Sequence, residues 1–245
     1  MERKSFIKSL AVAAISAPAL TEACKKHSGS VNDTETSATG TTTSPDGSCS
    51  TTNSETDGPY PLYTNRGSAL NRTDITDGKT GIPLNITLTI KNVNTNCTAL
   101  SGARVDIWHC DKDGYYSGYS NSGYLGTQNN SSLIFCRGYQ ETDSNGQVKF
   151  TSIYPGWYTG RITHIHAQIY VNNNLKLTTQ IAFPEAITKA VYATSLYSAH
   201  GQNTSVTSFS ADNVFSDGTS NEMATVTVNS TTGGYDLSLT IYVSA

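Results

Sequence analysis

The chain has 245 residues, which suits one or two domains or a single large sandwich or barrel. Charged residues make up 14% of it and the formal net charge is -3, where an average globular protein is roughly 25% charged. So weak a charge, with no basic patch interleaved with aromatics, argues against nucleic acid or an anionic surface as partner.

In chain order, residues 1–24 read as an export signal. Arg3, Lys4 and Lys8 make a positive start, and Leu10 to Leu20 is apolar but too short to span a bilayer. The run LTEAC then ends at Cys24, ahead of Lys25 and Lys26. It resembles a bacterial lipoprotein signal, whose cysteine becomes the lipidated first residue and anchors the chain to a membrane. Leu20 stands one place further from the cysteine than usual and Glu22 is atypical, so ordinary cleavage near Ala23 is the alternative. Either way the expected location is the periplasm or cell surface. Residues 25–53 are rich in Ser, Thr, Gly and Asp and poor in large apolar side chains. Such a segment cannot bury enough surface to offset its ordering entropy and reads as a flexible tether.

Residues 54–245 have a different texture. Pro59 and Pro61 keep GPYPLYTN extended. Alternating runs follow at 85–93, 103–108, 147–153, 163–171, 175–183, 224–228 and 235–243, each rich in β-branched or aromatic residues. Asn145-Gly146 and Gly233-Gly234 are turn signals between runs, and residues 184–200 hold room for a short helical turn or two. This pattern predicts an all-β sandwich with long loops. The chain has five cysteines. With Cys24 lipidated, Cys49, Cys97, Cys110 and Cys136 remain, an even number consistent with two disulfides in any of three connectivities. None has the CxxC spacing of a zinc–thiolate site.

The densest chemistry lies in IYPGWYTGRITHIHAQIY, residues 153–170. His164 and His166 are two apart and flanked by Ile162, Ile165 and Ile169, so on a strand both imidazoles point to one side while Ile165 points away. Two imidazoles on one strand are half of a metal site. The nearby phenol of Tyr158 is a hard oxygen donor that suits Fe(III) better than zinc or copper. Upstream, the strand at 103–108 runs into HCDKDGYYSGYS, which delivers Tyr115, Tyr116, Tyr119 and Tyr124 to a loop at one rim. Taken singly, each of these tyrosines reads as an amphipathic rim residue.

Taken together, these segments resemble the intradiol ring-cleavage dioxygenases, non-haem Fe(III) enzymes that include catechol and protocatechuate dioxygenases. SETDGPYPLY at 54–63, SGARVDIWHCDKDGYYSGY at 101–119, FCRGYQETDSNGQVKFTSIYPGWYTGR at 135–161, THIH at 163–166 and TTQIAF at 178–183 occur in the family's order. The resemblance implies an immunoglobulin-like or prealbumin-like sandwich, with iron held by Tyr116, Tyr158, His164 and His166. Two phenolates and a hydroxide would cancel the charge of Fe(III), and a neutral site tolerates burial. The substrates implied are a catecholic ring and O2, and the product is a muconate-type dicarboxylate. Tyr158 would be the ligand that substrate displaces. Arg161 would stabilise negative charge on the ring, Gln180 would hydrogen-bond in the pocket, and Tyr60 would form a wall of it.

Each assignment has a plainer alternative. Arg161 could be a surface ion-pair partner and Gln180 a satisfied polar group of a strand. His109 reads as structural, His27 and His200 have no evident partner, and Trp108 and Trp157 read as packing residues. Cys136 falls in a segment that shapes the family's pocket. The helical N-terminal region on which cytosolic relatives dimerise has no counterpart here, so oligomeric state stays open. The rival functions are a tethered extracellular binding module without catalysis and a zinc or copper hydrolase built on the His pair.

Overall fold

The computed structural model describes residues 49–61 and 64–245. Among them the strands run β1 (Pro83–Asn92), β2 (Thr98–Ala99), β3 (Arg104–Trp108), β4 (Ser120–Gly123), β5 (Gly126–Asn129), β6 (Arg137–Glu141), β7 (Gln147–Ile153), β8 (His164–Val171), β9 (Asn174–Ala182), β10 (Thr225–Asn229) and β11 (Gly234–Val243). One α-helix, α1 (Glu185–Tyr192), lies between β9 and β10. A 3-10 segment at Thr64–Leu70 precedes β1.

Alternation explains how these strands assemble. In β1, Leu84, Ile86, Leu88 and Ile90 are almost fully buried while the residues between them are not. β1 pairs in parallel with β11 and antiparallel with β7 and β2, and β10 extends the sheet beyond β11. A second, antiparallel sheet has the order β6-β3-β8-β9. The core lies between the two. The β1 row, with Val148, Phe150, Leu237 and Ile241, meets Val105, Ile107, Ile165, Ala167, Ile169 and Ile181 from the other sheet. Two sheets joined over one apolar layer make a β-sandwich, as expected. Burying each such aliphatic side chain contributes about 1.5–3 kcal/mol.

All seven alternating runs became strands. β2, β4, β5 and β6 were not foreseen. SNSG and GTQN are polar and carry no burial signal, and they pair only with each other as a hairpin. β6 contains Gly138, where a Cβ would lie 2.6 Å from Ile75 Cγ2, so its sequence reflects close packing and not alternation.

The export signal and most of the tether lie outside the described residues. At its C-terminal end the tether reading needs correction. Thr52 is buried, its N–H donates to Tyr242 O at 3.0 Å and its hydroxyl accepts from Tyr242 N at 3.0 Å. Cys49 is bonded to Cys97. Residues 49–61 therefore form a strap secured to the sandwich. The expected second disulfide is absent: Cys110 and Cys136 are buried free thiols. They sit in separate apolar clusters, Cys110 with Trp108 and Tyr116, Cys136 with Phe135 and Ile153.

The Cys49–Cys97 bond closes a loop with a sequence separation of 48. On loop-closure entropy that is worth about 4 kcal/mol at most. Cys97→Ser should lower the thermal midpoint, and a reductant should do the same to the wild type but not to the variant. Alkylation of the unfolded, unreduced protein followed by mass spectrometry should label Cys110 and Cys136 and spare Cys49 and Cys97.

Candidate metal centre

The site lies on the outer face of the second sheet, at the end where β3 leaves it. Even-numbered residues of β8 face outward because Ile165, Ala167 and Ile169 are taken by the core. The register sets Trp108, His166 and Gln180 side by side across β3, β8 and β9. Trp108 stacks on the His166 ring at 4.9 Å with planes 4° apart. That packing fixes one wall of the site before any ligand is considered.

The tyrosines arrive from loops, and backbone contacts bring those loops together. The Asp111 carboxylate accepts from the N–H groups of Asp113 and Tyr115 and from Lys79 Nζ at 2.7 Å. Its carbonyl accepts from Gly156 N at 3.0 Å. Gly114 has φ +86°, and a Cβ there would lie 2.2 Å from Trp157 O. Only glycine lets the Tyr116 loop press against the Pro155–Tyr158 turn so closely. The Tyr116 and Tyr158 rings meet edge to face at 5.7 Å. Tyr158 stands at 5.7 Å from the His164 ring.

Four donors thus converge. His164 Nε2 lies 3.1 Å from His166 Nε2 and 3.5 Å from Tyr116 Oη. His164 Nδ1 is 2.6 Å from Ile162 O. A carbonyl only accepts, so Nδ1 carries the proton and Nε2 offers its lone pair to the site. Burial, helped by the Arg161 charge, pulls the His164 pKa down to about 3. Burial and the neighbouring His164 push His166 well below the usual imidazole range. Burial, with Tyr158 adding to it, drives Tyr116 well above the ordinary phenol value. Tyr158 is pushed up to about 12 by burial, with Arg161 opposing.

Neutral imidazoles and phenols reluctant to ionise carry no net charge, and only a cation among them would draw the phenols into their ionised form. Among the described residues no cluster of three His, Cys, Asp or Glu could hold a metal, so an ion here needs the phenols. Tyr158 Oη is buried without a hydrogen-bond partner, although Tyr116 and Arg161 are near enough to affect its titration. This donor set fits a hard cation strong enough to ionise the phenols.

The remaining assigned residues surround the four. Arg161 is 7% exposed, so its reading as a surface ion-pair partner is corrected: its partner is buried Asp212, 3.0 Å from Nε. Arg161 Nη2 donates to Gln180 Oε1 at 2.6 Å, and Gln180 Nε2 donates to Thr56 O of the strap at 2.9 Å. The Tyr60 ring stands 4.9 Å from Tyr116 and 5.3 Å from Tyr119. Gly58, at φ +68°, passes so close that a Cβ would lie 2.9 Å from His166 Cε1. Thr56, Gly58, Pro59, Tyr158, Arg161 and Val214 line a cleft of about 520 Å³. A more apolar cavity of about 310 Å³ beside α1, lined by Phe183, Tyr192 and Val206, contains none of the four donors.

Other residues fall elsewhere. Cys110, not Cys136, is the thiol beside Tyr116. His200 has partners after all, stacked between Trp157 at 4.1 Å and Tyr124 at 4.2 Å. His27 lies outside the described residues. Asp212 and the strap contacts of Thr56 and Gly58 were missed. The Asp-Asn-Val-Phe run does carry a local signal, since the Asp212 side chain accepts from Val214 N and Phe215 N. Nothing in it points to Arg161.

Comparison with known proteins gives the family. A family model described as "Dioxygenase" matches residues 58–228. An intradiol ring-cleavage dioxygenase from Tetranychus urticae superposes with a TM-score of 0.69 at 28% identity, over 80% of this chain and 95% of that one. The dioxygenase domain of a dioxygenase–carbohydrate-binding fusion from Streptomyces sp. SirexAA-E shares the fold at TM-score 0.53 and 22% identity, covering 80% and 99% of the two chains. So does a 3-chlorocatechol 1,2-dioxygenase from Rhodococcus opacus 1CP, at 0.52 and 20%, covering 78% and 72%. Comparison with curated proteins returns no match. With most of its length matched by the family model, this chain belongs to the intradiol ring-cleavage dioxygenases and is an enzyme of that class.

His109 lies outside the donor group and yields a pH prediction. Its Nδ1 donates to Cys110 O at 2.8 Å, so Nε2 accepts from Ser152 Oγ at 2.7 Å. Burial holds its pKa down at about 4, while an unfolded histidine titrates near 6.5. A depressed pKa contributes stability that is complete above about pH 6.5 and is lost as pH falls toward 4, a change of about 3 kcal/mol. Urea denaturation across this range should show that decline, and His109→Gln should make it shallower, leaving the parts that His164 and His166 contribute. An unchanged slope would count against the buried neutral His109.

Proposed function

We propose that this enzyme cleaves a small catecholic ring between its two hydroxylated carbons, with Fe(III) held by Tyr116, Tyr158, His164 and His166. The observation that carries this reading is the convergence of two phenols and two imidazole Nε2 atoms beside an open cleft. When bound, the ferric ion would orient both catechol oxygens, act as a Lewis acid and keep the tyrosines ionised.

The protein's own groups do the rest. Tyr158 lies on the cleft side of the group and is less buried than Tyr116. It is the tyrosine placed to accept a catechol proton at Oη. Arg161 borders the same cleft and is placed to stabilise negative charge on the ring as O2 reacts. Gln180 holds the Arg161 guanidinium and the strap together. On the strap side Gly58 and Pro59 line the cleft, and Tyr60 stands behind them against the Tyr116 ring.

The reading extends to location. The Cys49–Cys97 disulfide supports an oxidising compartment, in keeping with the basic and apolar N-terminus that ends at Cys24. Membrane anchoring through lipidated Cys24 is part of the proposal. Cys24→Ser should move the protein from the membrane fraction to the soluble one, and an unchanged distribution would remove the lipid.

The central test is a visible spectrum of the iron-loaded protein before and after anaerobic addition of catechol. Tyrosinate ligation should colour the resting protein red-brown, and catechol should shift the band to longer wavelength. Tyr158→Phe should bleach most of the colour and lower turnover about 10²-fold or more. A protein that stays colourless after reconstitution, or a variant with unchanged colour and turnover, would defeat the ligand assignment.

A further inference from the structure

We propose that Asp212 is a positioning residue for ring cleavage, fixing the Arg161 guanidinium between itself and Gln180 so that the remaining edge faces the cleft beside Tyr158. The proposal rests on the function given above for Arg161. Its support is independent of that reading.

Asp212 is fully buried. Its two oxygens accept from Arg161 Nε at 3.2 and 3.0 Å, Ile162 N at 2.8 Å, Val214 N at 2.9 Å and Phe215 N at 3.2 Å. The carboxylate is therefore held by its own loop on one side and by the chain entering β8 on the other. An arginine side chain is long and has many rotamers, so a guanidinium gripped at one nitrogen could still swing. Here it is gripped at two. Nε is taken by Asp212 and Nη2 by Gln180 Oε1 at 2.6 Å, and Gln180 is itself pinned to the strap through Thr56 O. With two corners of a planar group fixed, its orientation is fixed. The side chain then borders the cleft next to Tyr158.

Stability alone does not account for this arrangement. A buried ion pair loses so much hydration that apolar replacements are often as stable. What such a pair provides is a fixed charge at a chosen place, with the opposite charge set behind it. The Phe215 ring lies 5.8 Å from the guanidinium carbon.

The test compares iron-loaded wild type, Asp212→Asn, Arg161→Gln and the double variant. Asparagine keeps one oxygen for the Val214 and Phe215 amides and removes the carboxylate that grips Nε. In Asp212→Asn, kcat on catechol should fall about 10- to 100-fold, with KM nearly unchanged and the iron content and resting spectrum those of wild type. In the Arg161→Gln background the same substitution should cost nothing further, because Asp212 acts through Arg161. Additive losses, or wild-type kcat in Asp212→Asn, would overturn the proposal.

Should Asp212→Asn fail to fold, Arg161→Lys decides. A single ammonium cannot serve both Asp212 and Gln180 while facing the cleft, so kcat should fall to a similar degree, and full activity would refute the positioning role. A crystal structure of Asp212→Asn reads the Arg161 side chain without turnover and should show it displaced. An unmoved side chain again overturns the proposal. Wild-type protein inactive on every catechol would instead count against the proposed function, leaving the crystallographic result to judge Asp212.

Discussion

One strand, β8, carries both the core and the chemistry, and the rest of the site follows from that. Its odd-numbered residues, Ile165, Ala167 and Ile169, are locked into the apolar layer between the sheets. His164 and His166 have no choice of face once that is done. A slip of one residue would bury both imidazoles in the core and expose the isoleucines. The energy of the hydrophobic layer, spread over both sheets, thus fixes the aim of two nitrogens 3.1 Å apart. Trp108 extends the effect across the sheet, since the register that pairs β3 with β8 lays its ring flat on His166.

Burial then sets the protonation of each donor. The imidazoles are driven toward the neutral form that binds metals, and the phenols are held as phenols. The same burial that prepares the histidines opposes ionisation of the tyrosines, so all four groups rest neutral and only a strong cation would ionise the phenols. Arg161 would burden this region with an unshared positive charge if it stood alone. Asp212 cancels that charge locally, and its own acid stays ionised because hydrogen bonds from Arg161 and backbone amides outweigh the effect of burial. Charge is thus balanced pair by pair within a few ångströms, and each group can be buried without forfeiting its function.

The strap at 49–61 shows how far a site can draw on remote chain. Its carbonyl at Thr56 secures Gln180, its Gly58 packs on His166, and its start is bonded to Cys97 at the far end of β1. Composition placed its first residues, 49–53, in a flexible tether, because Ser, Thr and Asn side chains offer little surface to bury. The contacts that hold it are backbone and side-chain hydrogen bonds and a disulfide, and none of them leaves a hydrophobic trace in sequence. The polar β4–β5 hairpin escaped notice for the same reason.

By itself the sequence determined what is local and periodic. Period-two alternation marked seven strands and the face of each, the HIH spacing set two imidazoles on one side, and ordered motifs joined them to Tyr116, Tyr158, Arg161 and Gln180. Such features are legible because a strand's side-chain direction depends only on the residues next to it. Only the tertiary structure decided which distant groups met. It brought Asp212 to Arg161, Thr56 to Gln180 and His200 between Trp157 and Tyr124, and it left Cys110 and Cys136 as separate thiols. Those meetings depend on how sheets and long loops pack across wide gaps in the chain, and no residue announces its partner over such a distance.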